Sequence, residues 1–79
     1  MKRRSKLEMK SDILCYLSQK DSRQTEITDQ LKIYSTTAKT MLSEMKSAGL
    51  VSQNGWIYSI TPWGREIAEL ARTLEEVMG

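Results

Sequence analysis

Residues 24–66 read QTEITDQLKIYSTTAKTMLSEMKSAGLVSQNGWIYSITPWGRE, and two punctuation marks inside this stretch decide the fold. The first is Gly49-Leu50, where an apolar helical pattern stops. A glycine there adopts the left-handed backbone with no Cβ penalty, and the next apolar residue folds back on the last turn, here Leu50 on Met45. The second is Thr61-Pro62, a hydroxyl N-cap followed by a proline at the first helical position. Between them, Val51-Ser52-Gln53 and Trp56–Ile60 flank Asn54-Gly55, the strongest short hairpin signal and the sequence of a type I′ turn. That turn pairs Gln53 with Trp56 and Val51 with Tyr58. It predicts Val51, Trp56, Tyr58 and Ile60 on one face of the hairpin, toward the core.

Upstream, Ile27 and Leu31 share one face of a short helix from Gln24 to Leu31. Lys32-Ile33-Tyr34 then form a tight turn with Ile33 plugged inward. Ser35 is a good N-cap for a third helix reaching Ala48, in which Ala38, Met41, Leu42 and Met45 face inward. A first helix covers roughly Lys6 to Ser18, with Met9, Ile13, Leu14 and Leu17 as its stripe and Leu7 and Tyr16 on its flanks. Cys15 points away from the centre of that stripe. Lys20, Asp21 and Ser22 read as a connection. The last helix carries Trp63, Ile67, Leu70, Leu74 and Val77 at alternating spacings of four and three, a heptad seam. The predicted order is helix, helix, helix, hairpin, helix, a mostly α fold with one small β-hairpin. The chain is expected to be one domain over 1–79, with a basic arm at 1–5 and a terminal association helix at 61–78.

Composition removes whole classes of function. A chain of 79 residues buries only about 60% of the surface its unfolded form exposes, so its core is marginal alone. The compact apolar stretch Ile13–Leu17 is far below the roughly 18 residues of a membrane span. Met1-Lys2-Arg3-Arg4 has the charge of a signal-peptide start, but no apolar segment follows. The expected location is therefore the cytoplasm, a host's cytoplasm if the source is a virus. One cysteine excludes an internal disulfide and a multi-thiolate zinc site, and the lack of histidine removes the usual catalytic triads. Neither an enzyme nor a cofactor-binding protein is expected. Net charge is only +2, but residues 1–60 carry ten Lys/Arg against six Asp/Glu, whereas 61–79 carry two against four. A basic front and an acidic back suit a module that turns one side to nucleic acid.

The Glu26-Ile27 helix start, the short turn before Ser35, the Gly49-Leu50-Val51 exit and the Ile60-Thr61-Pro62-x-Gly64-Arg65-Glu66 segment together resemble the winged helix-turn-helix family. The likeness covers a little over half of the chain. More narrowly it is similar to small regulators of archaea and their viruses, and to the DNA-binding core of MarR-type repressors. Two departures stand out. Lys32 occupies a position where the family often has a small residue, and the hairpin contains no Lys or Arg.

The resemblance implies that the third helix enters the major groove of a duplex. Ser35, Thr36, Thr37, Thr40 and Ser43 then supply short hydroxyls for base edges, and Lys39 and Lys46 reach a base or a phosphate. Lys2, Arg3, Arg4 and Lys6 form an arm that tracks phosphates or enters a minor groove. Arg23 and Lys32, with Gln53 and Asn54 of the hairpin, are further candidates for the backbone. Trp56 and Trp63 fit the core or an interface better than a stacking platform.

For a domain this small, the last-helix seam of Trp63, Ile67, Leu70, Leu74 and Val77 is expected to close a two-fold homodimer. Cys15 either meets its copy across that axis in a disulfide or is an inert thiol. The expected function is a sequence-specific regulator, a repressor, on a pseudo-palindromic duplex, without a membrane partner and with no sign of an effector pocket. The alternatives are a winged-helix protein-interaction module and a non-specific architectural DNA binder.

Overall fold

The structure, a computed structural model, describes residues 5–78. Ser5 caps α1 (Lys6–Gln19), its Oγ accepting from the Glu8 N–H at 3.1 Å. Ile13, Leu14 and Leu17 of α1 are buried, as the helical stripe requires. The chain then extends into a two-residue strand, β1 (Ser22–Arg23), where the sequence reads as a connection. Two residues carry no periodicity, so pairing alone defines this strand. Ser22 is fully buried, and its hydroxyl donates to the Lys20 carbonyl at 3.2 Å.

Helix α2 (Gln24–Leu31) starts without a side-chain cap, since Arg23 holds the N-cap position. Glu26 compensates from the third helical position, its carboxylate accepting from the Arg23 backbone N–H while Lys20 Nζ lies 3.2 Å away. Both contacts hold the carboxyl below its usual range, the Lys20 hydrogen bond most. The turn to the next helix passes through Lys32 in the left-handed conformation at φ 56°, and Ile33 plugs inward. A left-handed non-glycine residue costs about 1 kcal/mol.

Helix α3 (Ser35–Ser47) begins one residue earlier than an N-cap at Ser35 implies. Tyr34 is the N-cap and Ser35 is the first helical residue. Gln24 Nε2 donates to the Ser35 carbonyl at 3.3 Å and ties the two helix starts together. At the far end Gly49 has φ 78°, Gly49 N–H donates to the Lys46 carbonyl at 3.1 Å and Leu50 N–H to that of Met45 at 2.9 Å. This paired pattern is the Schellman ending that Gly49-Leu50 predicts.

The hairpin exists, with a shifted loop. Strands β2 (Val51–Asn54) and β3 (Ile57–Ile60) pair Val51 with Ile60, Gln53 with Tyr58 and Asn54 with Ile57. The loop is therefore Gly55-Trp56 rather than Asn54-Gly55. Only Gly55 has positive φ, 63°, so the turn has the II′ pattern, with glycine first. The shift moves pairing by two residues in β3, which preserves each side chain's face. Val51, Tyr58 and Ile60 thus still pack on the core. Trp56 does not: it leaves the sheet for the loop and is 80% exposed. Because β1 also pairs with β3, the sheet is three-stranded and antiparallel in the order β1-β3-β2.

Helix α4 (Pro62–Met78) starts where Thr61-Pro62 places it. Thr61 Oγ1 accepts from the Gly64 N–H at 3.0 Å and itself donates to the Gly49 carbonyl at 2.6 Å, while the Thr61 N–H donates to the Leu50 carbonyl at 3.1 Å. Gly64 is buried against the same peptide. A Cβ there would fall on the Leu50 carbonyl oxygen and 2.8 Å from Ile60 Cγ1. The two motifs that signal the fold in sequence are thus one physical junction. The core draws on α1, α2, α3 and β2, and α4 adds only Ala68 to its fully buried set.

Candidate nucleic-acid interface

Packing of Ala38, Met41, Leu42 and Met45 fixes which side of α3 faces out. Ser35, Thr36, Lys39, Thr40, Ser43, Lys46 and Ser47 are exposed, and Thr37 is half-buried. Thr37 is turned toward α1, where it shares a shallow recess with Lys6, Thr36, Thr40 and Met41. The Thr40 hydroxyl donates to the Thr36 carbonyl at 3.0 Å, and Thr40 as a whole is exposed.

The only carboxylate on α3 is Glu44, and it is neutralised from α1. Lys10 Nζ lies 2.9 Å and Lys6 Nζ 3.7 Å from its oxygens. The Lys10 hydrogen bond is the largest of the effects that hold this carboxyl below its usual range. Lys6, a candidate for phosphate contact, is the first residue of α1 and pairs with Glu44. Lys2, Arg3 and Arg4 lie outside the described residues.

Lys46 and Gln53 are brought together. Lys46 Nζ donates to Gln53 Oε1 at 3.1 Å, and Gln53 Nε2 donates to the Gly55 carbonyl at 3.0 Å. Gln53 is therefore a strut between α3 and the hairpin loop, with both ends of its amide engaged. Asn54 is exposed at the end of β2. Lys32 is exposed in the α2–α3 turn. Arg23 sits on β1, the edge strand next to β3, and with Lys39, Ser35, Gln53, Tyr58 and Trp56 it borders an open depression of about 580 Å³. Gln24 and Thr25 complete the lining. Cations and hydroxyls meet there without a carboxylate. Sequence reasoning missed Gln24, Thr25 and Trp56, the last because the loop position depends on pairing rather than on the Asn54-Gly55 dipeptide.

A second exposed face has the opposite chemistry. On α4, Trp63 is 51% exposed, Leu70 58%, Leu74 60% and Val77 78%. Ile67 is half-buried and packs against the core. Leu7 of α1, 76% exposed, extends this face across an apolar groove of about 500 Å³ that also takes in Ile67, Leu70, Ala71 and Leu74. The heptad spacing identified the α4 residues, whereas Leu7 lay on the flank of its own stripe. Cys15 is a half-buried free thiol on α1. Among the described residues there is no group of acidic, cysteine or histidine side chains able to hold a metal ion, and no helix long and apolar enough to cross a membrane.

Comparison with known proteins agrees with this geometry. A family model described as winged helix-turn-helix matches residues 3–79. No curated protein matches the chain in sequence. Among solved structures, the transcriptional regulator BldR from Sulfolobus solfataricus superposes with a TM-score of 0.74 at 20% identity over 89% of this chain. The chain spans 58% of that protein's length, and at this identity the likeness concerns the fold.

Proposed function

The chain belongs to the winged helix-turn-helix family, and from that premise we propose that it is a duplex-DNA-binding transcriptional regulator. In this reading it is a homodimeric repressor with α3 in the major groove. Two recognition helices related by a dyad would enter successive major grooves about 34–36 Å apart. The observation that carries the reading is the outward face of α3. It presents short hydroxyls and two lysines, and its one carboxylate, Glu44, is paired with Lys6 and Lys10. A face free of unpaired negative charge approaches phosphates without repulsion, and small side chains let the helix settle close to base edges. Arg23 and Lys39 flank that face as candidates for the backbone.

Dimerisation is supported by the apolar face of α4. Four large side chains more than half exposed, continued by Leu7, form an apolar face of the kind that marks an interaction surface. Self-association through a two-fold axis buries it isologously and adds stability that so small a domain lacks. Leu70→Glu combined with Leu74→Glu should convert a dimer to a monomer by analytical ultracentrifugation. A wild-type chain that sediments as a monomer would remove this part of the reading. The same face is also the observation that favours the second reading, a winged-helix module that binds another protein.

Fluorescence anisotropy with duplex fragments of the source genome, titrated at several salt concentrations, separates the readings. A specific regulator binds one fragment at nanomolar affinity, with log K falling linearly in log salt; the slope divided by about −0.9 counts the phosphates engaged. Equal binding to all fragments makes the chain an architectural protein. No binding at low salt leaves the protein-interaction module.

A further inference from the structure

The two flanks of α3 are charged differently. On the hairpin side, Arg23 and Lys39 border a depression whose lining contains no carboxylate. On the α1 side, Thr37 and Thr40 line a recess with Lys6, and Glu44 follows one helical turn further along the same row. Lys6 and Lys10, four residues apart, share one face of α1. Each meets its own oxygen of the Glu44 carboxylate, Lys10 Nζ at 2.9 Å from Oε1 and Lys6 Nζ at 3.7 Å from Oε2. Lys6 and Glu44 are both exposed, and ion pairs in water add little to stability. The fold has little need of this carboxylate. A phosphate offers the same two ammonium groups the same charge-assisted contacts.

We propose that Glu44 is an intramolecular competitor of DNA phosphate, which holds Lys6 and Lys10 and so limits the sequence-independent part of duplex binding. The inference rests on the duplex-binding reading above. A helix lying in the major groove has a phosphate strand on each side. The strand on the hairpin side meets Arg23 and Lys39 in a depression without a carboxylate. The strand on the α1 side meets two lysines whose charge is half cancelled. Salt-dependent affinity follows the net number of phosphates neutralised, and Glu44 takes about one from that number in each protomer. It restrains affinity for every duplex alike and leaves discrimination to the outward hydroxyls of α3.

Salt-titrated anisotropy on the tightest genomic duplex and on a random-sequence duplex tests this. Glu44→Gln should steepen the slope of log K against log salt by about 0.9 per protomer and tighten binding to both duplexes about tenfold or more at low salt. Glu69→Gln makes the same charge change on the exposed surface of α4 and should leave the slope at its wild-type value. Adding Lys6→Ala and Lys10→Ala to Glu44→Gln should abolish the gain, because the freed cations carry it. Thermal melts of Glu44→Gln at neutral pH should stay close to wild type. An unchanged slope in Glu44→Gln overturns the proposal, and so does an equal gain from Glu69→Gln, which assigns the effect to net charge. Weaker binding by Glu44→Gln overturns it as well, since the carboxylate then supports the contact. Failure of both the wild-type chain and Glu44→Gln to bind any duplex is a different result, one that removes the duplex-binding reading itself.

Discussion

The base and the tip of the hairpin are built on opposite principles. At the base, Thr61 holds the Gly49 and Leu50 carbonyls and the Gly64 N–H, and Gly64 lies against the Leu50 peptide without room for a Cβ. At the tip, Gly55 has nothing within 4 Å of where a Cβ would stand, and Trp56 is in water. One end is fixed by packing and hydrogen bonds, and the other is held only by the Gln53 strut. Residue identity at the base is therefore a matter of stability, whereas at the tip it is left to whatever the wing touches.

The largest break of this contrast should come from Gly64→Ala. Its methyl has to displace backbone, and the domain should lose about 3 kcal/mol, as overpacked sites do. For a chain this short that lowers the melting temperature by roughly 12–24 °C in a circular-dichroism melt. A loss below about 0.5 kcal/mol would mean that the α4 start is not pressed on the Leu50 peptide. Thr61→Ala comes next. Without the cap hydroxyl the domain should lose about 1–2 kcal/mol in urea titrations. A neutral effect would show that Pro62 alone starts the helix.

The smallest effect concerns pH. Glu26 and Glu44 have folded-state pKa values below the ordinary 4.5, so the stability they contribute is fully present above that value. It is lost as pH falls through their lower folded values. Melting temperatures should decline modestly over that acid range and decline less in the Glu26→Gln, Glu44→Gln double variant. An identical acid profile in both proteins would show that these exposed pairs contribute nothing. Neither result should touch the hairpin base, which contains no ionisable group.

The same contrast explains what could be read from the sequence. Gly49-Leu50 and Thr61-Pro62 announced the α3 exit and the α4 start because each satisfies backbone groups that no other residues nearby satisfy. The inward faces of α1 and α3 followed from helical spacing, and so did the exposed seam of α4. The tip was misread because Asn54-Gly55 is a local signal, whereas loop position depends on pairing along the whole of β3. Strand β1 was invisible because Ser22 and Arg23 are a strand only by virtue of Tyr58 and Ile57 opposite them. The pairing of Lys6 with Glu44 was invisible for a related reason: the two are far apart in sequence, and no spacing rule relates them. The outward hydroxyls of α3, by contrast, were legible as the complement of its core face.

The central claim is that this outward face of α3 meets duplex DNA, and Thr40→Glu tests it most directly. Thr40 is exposed at mid-face and packs on nothing in the core, so the variant should keep its circular-dichroism spectrum and its oligomeric state. A carboxylate placed against phosphates and base edges should weaken anisotropy-measured binding to the tightest genomic duplex by roughly two orders of magnitude. Affinity equal to that of the wild-type chain would take α3 out of the groove and contradict the account.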